Sequence, residues 1–130
     1  MNRLIKVLQN NKESHQGVFM AGIVPGFPDL ETSFEIAKTI IESGANILEL
    51  SASFSDPVAD GPTITKANQD SLNNQTSAKQ SMQLMAELTK TVQIPLLFMT
   101  YFNILFNYGV KEFCHDAQQA GCSGLIIPDI

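Results

Sequence analysis

Beyond Gly17 this chain repeats one pattern: a short run of consecutive apolar residues, then a longer stretch with apolar residues at helical spacing. A strand with one wet face alternates apolar and polar residues, whereas a strand covered on both faces reads as a nearly continuous apolar run. Residues 17–24, 47–50, 94–99 and 125–127 are runs of the second kind. Strands of that type separated by helices pair in parallel, and their crossovers are right-handed. The pattern therefore predicts an α/β fold with element order βαβαβαβ. Residues 1–130 form a portion of a single domain, with no linker or repeat boundary inside it.

The helices announce themselves locally. Phe34, Ala37, Ile40 and Ile41 predict a helix over 30–43, opened by Pro28-Asp29 with Glu31 in the first turn and stopped by Gly44. Pro62 suits the first position of another helix, which breaks near Asn73-Asn74-Gln75 and resumes with Met82, Met85 and Leu88 on one face. Pro95 fits only at the start of its strand, since it cannot donate to a ladder. A loop is expected through Asn103 to Gly109, then a helix carrying Phe113, Ala117 and Ala120 and stopped by Gly121. Leu4, Ile5, Val7 and Leu8 make residues 1–11 a short amphipathic helix lying on the domain. That apolar stretch is too short and interrupted for a secretory signal or a membrane span.

Two architectures satisfy the order, an open doubly wound sheet and a closed β/α barrel. No GxGxxG follows the first run, which argues against dinucleotide binding. A full barrel takes about 250 residues, so this chain would supply roughly half of one. Periodicity does not choose between them.

Composition narrows the function classes. The formal charge is −5, and the eight Lys and Arg residues are scattered from Arg3 to Lys111 rather than gathered on one face, which argues against a nucleic-acid partner. An anionic small substrate is compatible, because backbone N–H groups at helix starts hold phosphate without a basic surface. Cys114 and Cys122 lack any metal-ligand or CxxC spacing and read as small neutral residues of a reduced, cytoplasmic protein. His15 and His115, among polar neighbours, read as surface residues with no catalytic role.

The chemistry points to Glu49. It interrupts an apolar strand near its carboxyl end, where parallel α/β folds place their ligands and where an unpaired carboxylate is costly to bury. Such a group suits a general acid or base; the plainer alternative is a Glu that pairs with a nearby Lys or backbone amide. The loop Phe54-Ser55-Asp56-Pro57-Val58-Ala59-Asp60-Gly61-Pro62 adds two more carboxylates. Asp-Pro and Asp-Gly are common turn pairs, and Asp60 could simply cap the helix starting at Pro62. Three acids on one strand-and-loop unit could also suit a divalent cation, although nothing in the spacing requires a metal.

Glu49-Leu50 followed by Phe54-Ser55-Asp56-Pro57-Val58-Ala59-Asp60-Gly61-Pro62-Thr63-Ile64 resembles the long motif of the tryptophan synthase alpha subunit family. Pro28-Asp29-Leu30-Glu31-Thr32, Met99-Thr100-Tyr101-Phe102-Asn103 and Gly124-Leu125-Ile126-Ile127-Pro128-Asp129 resemble family segments in the same order, so the likeness runs from about Gly17 to Ile130. The resemblance implies a (β/α)8 TIM barrel of which this chain is about the first four βα units. It implies retro-aldol cleavage of indole-3-glycerol phosphate to indole and glyceraldehyde 3-phosphate, in tryptophan biosynthesis. Glu49 matches the catalytic glutamate that moves protons between the glycerol hydroxyl and indole C3. Asp60 matches the aspartate that accepts the indole N–H, and Tyr101 a residue beside the ring. Asp56 and Pro57 match the loop that meets the beta subunit of an alpha2-beta2 complex. Pyridoxal phosphate is implied in that partner, and neither a metal nor an organic cofactor in this subunit. A diverged, non-catalytic alpha-like subunit that modulates a beta partner is the competing reading.

The match departs from the family at three places near this face. Ser51 and Ser53 replace Gly and Pro, Phe27 stands where the family has an acid, and Ile104 replaces a proline. Serine takes positive φ less freely than glycine, so the loop carrying Asp60 is expected to be set differently. A half barrel also exposes two sheet edges and an apolar inner face, which predicts self-association of the isolated chain.

Overall fold

A computed structural model describes residues 2–130. Ten elements follow one another: α1 (Arg3–Glu13), β1 (Met20–Ile23), α2 (Leu30–Glu42), β2 (Ile47–Ser51), α3 (Pro62–Asn73), α4 (Ala78–Thr91), β3 (Leu96–Met99), α5 (Phe102–Tyr108), α6 (Val110–Gln119) and β4 (Gly124–Ile126). Helices α2 and α3 begin where their sequence signals predict. Asp29 accepts from the Thr32 N–H at 2.7 Å and the Thr32 hydroxyl at 2.8 Å, bonds that hold its carboxyl below the usual carboxylate range. Pro62 is the first residue of α3, and Ser77 and Gln80 form a reciprocal capping box at α4.

All three strand pairs are parallel, and the sheet order is β1-β2-β3-β4. That order decides between the two architectures. A doubly wound sheet reverses direction at a switch point, whereas here each strand lies beside its predecessor throughout. Right-handed crossovers in one unbroken direction put the connecting helices on the same side of the sheet. Accordingly α2 packs on α4 and α4 on α6. This is the winding of a β/α barrel, with four strands of it present.

Register separates the two faces, because strand side chains alternate. Level with one another on the helix side are Ala21 and Leu48, Leu48 and Leu96, and Leu50 and Phe98. They join Ala37, Met82, Met85, Leu88, Phe113 and Ala117 in the core. The rings of Phe98 and Phe113 meet edge to face at 5.7 Å. On the opposite, inner side, Gly22, Glu49, Leu97 and Gly124 form one row, and Ser51, Met99 and Ile126 form the next.

Three expectations need adjustment. The run at 17–24 pairs only over Met20–Ile23, and Phe19 is 60% exposed. The stretch from Asn103 to Gly109, expected as loop, is mostly helix, since α5 spans Phe102–Tyr108. Its sequence hides it: Tyr101 caps no N–H, and Asn103 and Asn107 are weak helix formers. The helix is held from outside its own segment, by the Asp129 carboxylate accepting from the Phe102 N–H at 2.8 Å and by burial of Leu105. Gly109, at φ 99°, then lets the chain turn directly into α6. The amphipathic N-terminal helix, expected over 1–11, spans Arg3–Glu13, with residue 1 outside the described residues. It buries no residue fully; the Asn2 side chain ties it to the sheet by donating to the Ser123 carbonyl at 2.8 Å. No helix among the described residues is long and apolar enough to cross a membrane.

Candidate functional site

Glu49 is the third of the five residues of β2 and projects to the inner face, half-buried. It takes up neither alternative raised by the sequence: no Lys and no backbone amide reaches its carboxylate among the described residues. Its partner is the Ser51 hydroxyl, which donates to Oε1 at 3.0 Å. In the planes of the sheet its neighbours are Gly22 on β1 and Leu97 on β3, and neither carries a polar side chain. A Cβ placed on Gly22 would lie 3.7 Å from Oε1, in ordinary contact, so the Glu49 carboxyl lies beside the bare glycine backbone.

Ser51 is the last residue of β2, in extended backbone, and the non-glycine residues at positive φ are His15 and Gln75. Serine therefore carries no backbone strain at this position. Ser53 is buried, and its hydroxyl donates at 2.6 Å to Ser71 on α3. The Ser71 hydroxyl in turn donates at 2.6 Å to the Pro25 carbonyl. This chain of bonds ties the β2–α3 loop to the β1–α2 loop. Gly26 is packed so tightly there that a Cβ would fall 2.1 Å from the Thr76 Oγ1.

Asp60 sits just before α3 without capping it; the cap position is Gly61, which makes no side-chain bond. Its Oδ2 instead accepts from the Tyr101 hydroxyl at 3.2 Å and from the Asn68 side-chain amide at 3.4 Å. Tyr101 follows β3, is 1% exposed, and its oxygen also accepts from the Ala59 N–H at 3.0 Å. Burial pushes its hydroxyl pKa up, the Ala59 bond opposes that, and the nearby Asp60 charge adds to the rise. The phenol therefore stays protonated and donating across neutral pH. Phe54 leans on the same ring, centroid to centroid 5.2 Å.

The structure thus joins Asp60 and Tyr101 by a direct hydrogen bond, while Glu49 bonds Ser51 and makes no hydrogen bond to either of them among the described residues. Asp56 is exposed and accepts from the Ser55 hydroxyl at 2.6 Å, while Pro57 is buried and its carbonyl accepts from the Asp60 N–H at 3.0 Å. Val58, between them and Asp60, is 83% exposed. Phe27 is 41% exposed and lines a cavity of ≈ 580 Å³ beside β1 with Val24, Ile36 and Ile64; neither Glu49 nor Asp60 lines it.

Sequence reasoning missed Asn68 and Asp129. Asn68, 2% exposed, holds Asp60 with its amide nitrogen and accepts from the Phe54 N–H at 3.4 Å with its oxygen. The available signal was its place on α3 between Ala67 and Ser71, a polar residue on a helix with too few apolar ones to fill its inward face. Cys114 is exposed, and Cys122 is half-buried with its thiol donating to the Gly124 carbonyl at 3.0 Å; burial raises that thiol's pKa. No three His, Cys, Asp or Glu side chains converge as a metal site among the described residues.

Comparison with known proteins places this geometry. Residues 8–130 match the family described as tryptophan synthase alpha chain. The tryptophan synthase alpha chain of Desulfotalea psychrophila is 42% identical over 127 residues, covering 98% of this chain and 50% of that one. The crystal structure of tryptophan synthase subunit alpha from Legionella pneumophila superposes with a TM-score of 0.96 at 32% identity, over 99% of this chain and 50% of that chain. A tryptophan synthase structure from M. tuberculosis in an aminoacrylate-bound form gives 0.95 at 29% identity, over 100% of this chain and 53% of that one. The chain spans about half the length of the curated relatives it matches.

Proposed function

This chain belongs to the tryptophan synthase alpha chain family, and we propose that it carries the proton-transferring carboxylates of a carbon–carbon lyase acting on indole-3-glycerol phosphate. The observation that carries this reading is the pair of differently held acids at the carboxyl ends of the strands. Glu49 stands on the inner face with one oxygen engaged by Ser51, and Asp60 is braced by Tyr101 and Asn68.

The reaction needs two things from such a pair. The bond between indole C3 and the glycerol carbon breaks only if C3 is protonated and the adjacent hydroxyl is deprotonated. Glu49 performs both transfers, giving a proton to C3 and taking the hydroxyl proton as the carbon–carbon bond opens. The bond's electrons flow into the ring, neutralising the charge that C3 protonation placed on its nitrogen, while the glycerol carbon becomes the aldehyde. Asp60 accepts the ring N–H and stabilises that positive charge while it lasts. The products are indole and glyceraldehyde 3-phosphate, and no step changes oxidation state overall. Both roles run through carboxylates, without a metal or an organic cofactor in this subunit.

Barrels of this kind usually hold phosphate in the loops after the seventh and eighth strands, and this chain has four. We therefore expect the 130-residue chain by itself not to turn over the substrate at a useful rate. The partner is a tryptophan synthase beta subunit carrying pyridoxal phosphate, met at the loop of Asp56 and Pro57, of which Asp56 is exposed and Pro57 buried. The test is indole formation by the full-length polypeptide with Glu49 replaced by Gln. Loss of activity with an unchanged fold is the expected result; retention of the parental rate would leave a non-catalytic, beta-modulating subunit as the better reading.

A further inference from the structure

We propose that Ser51 is a positioning residue for Glu49, holding the carboxyl in one place through both of its charge states. The proposal rests on Glu49 being the group that transfers protons. A glutamate side chain on a strand has three rotatable bonds, and proton transfer demands that its oxygen stay within hydrogen-bond reach of the reacting atom. Something must fix it, and its surroundings offer little. Gly22 contributes no side chain and Leu97 only an apolar one. The ion pairs among the described residues, Lys38–Glu35, Lys66–Asp70 and Lys90–Glu87, all lie elsewhere. The Ser51 hydroxyl, 3.0 Å from Oε1, is the one side-chain hydrogen bond Glu49 makes among the described residues.

The placement is built into the strand. Residues two apart on β2 share a face, so Glu49 and Ser51 stand side by side, with Ser51 in register with Met99 on the neighbouring strand. Serine reaches Oε1 with a single rotatable bond of its own, which makes it a stiff support, and Oε2 is left for the ligand. The chemistry of the hydroxyl also suits the cycle. It is both donor and acceptor, so it donates to the carboxylate and can turn to accept from the protonated acid. A lysine or a backbone N–H, being a donor only, could not accept from the acid's O–H. The family resemblance usually puts a glycine at position 51, which has no hydroxyl to offer.

The experiment compares Ser51→Ala, Ser51→Val, Ser51→Thr and Glu49→Gln in the full-length polypeptide, following indole formation. Ser51→Ala and Ser51→Val should lower kcat roughly tenfold while KM stays within about twofold, because what is lost is orientation of the reacting group rather than ground-state binding. Ser51→Thr, which restores the hydroxyl on a side chain shaped like valine, should stay within about threefold of the parent. If the alanine variant does not fold, the Thr–Val pair carries the comparison, since both residues suit a strand. A kcat unchanged in Ala and Val beside an inactive Glu49→Gln overturns the role of Ser51 alone, as does a threonine variant no better than valine. A fully active Glu49→Gln overturns the reading of the site itself.

Discussion

The two faces of this sheet are written by alternating residues of the same strands, and they obey different rules. On the helix side Leu48, Leu50, Leu96 and Phe98 are at most 1% exposed and close-packed against α2, α4 and α6. On the inner side the same strands present Gly22, Glu49 and Ser51 beside Leu97 and Met99. One residue of slip in β2 would exchange the two sets, so the packing that fixes the register also aims Glu49 inward. Stability is concentrated on one face, and that leaves the other able to carry a carboxylate, a bare glycine and a hydroxyl. The difference teaches that the two properties can be perturbed separately.

Phe98→Ala in the full-length polypeptide should break the first face, costing about 3–5 kcal/mol in denaturant unfolding because a fully buried ring leaves a cavity. A loss under ~1 kcal/mol would mean the helix layer is not close-packed there. Glu49→Gln should do the reverse, cutting indole formation roughly 10²–10⁴-fold with little change in unfolding midpoint. Tyr101→Phe sits where the faces communicate. It removes the hydroxyl that bonds Asp60 and Ala59, so it should cost about 1 kcal/mol and lower turnover as well. An effect on stability without one on turnover would show that Tyr101 is only a loop anchor. Ser77→Ala, far from both acids, should lose about 1 kcal/mol through its capping box and leave turnover unchanged.

The smallest effect is alkaline. Tyr101 and Tyr108 both have hydroxyls raised above the ordinary value of 10.0, Tyr101 by burial and Tyr108 by donating to Asp116 at 2.6 Å. A raised phenol pKa contributes stability that is complete below pH 10 and is lost as pH rises through the folded value. Ultraviolet titration of the native protein should therefore show these tyrosines ionising above free tyrosine. A component attributable to Tyr101, absent in Tyr101→Phe, that titrates at or below the ordinary value would contradict the buried, Asp60-facing hydroxyl.

Much of the fold was legible because its signals are local. Asp29 and Pro62 each mark a helix start locally, and the apolar runs name the strands. Periodicity did not choose between barrel and doubly wound sheet, since that depends on strand order, which no single segment encodes; the family resemblance implied the barrel, and the strand order agrees. Helix α5 escaped because its first N–H is satisfied by Asp129, 27 residues away. Within the site, Glu49 stood out as a charge inside an apolar strand. The fastening of Asp60 did not, because Tyr101 lies 41 residues downstream and Asn68 looks like any polar helix residue until its burial is known. Ser51 read as a loop-disturbing departure from the resemblance; only its place as the last strand residue shows why it fits.

On the proposed reading, Glu49 and Asp60 act together on one indole-bearing ligand. That reading is tested most directly by a crystal structure of the full-length polypeptide with a non-cleavable analogue of indole-3-glycerol phosphate. The ring N–H should be hydrogen-bonded to Asp60 and the Glu49 carboxyl should lie within reach of ring C3 and the neighbouring hydroxyl. An analogue bound with either carboxylate pointing away from it would contradict the account.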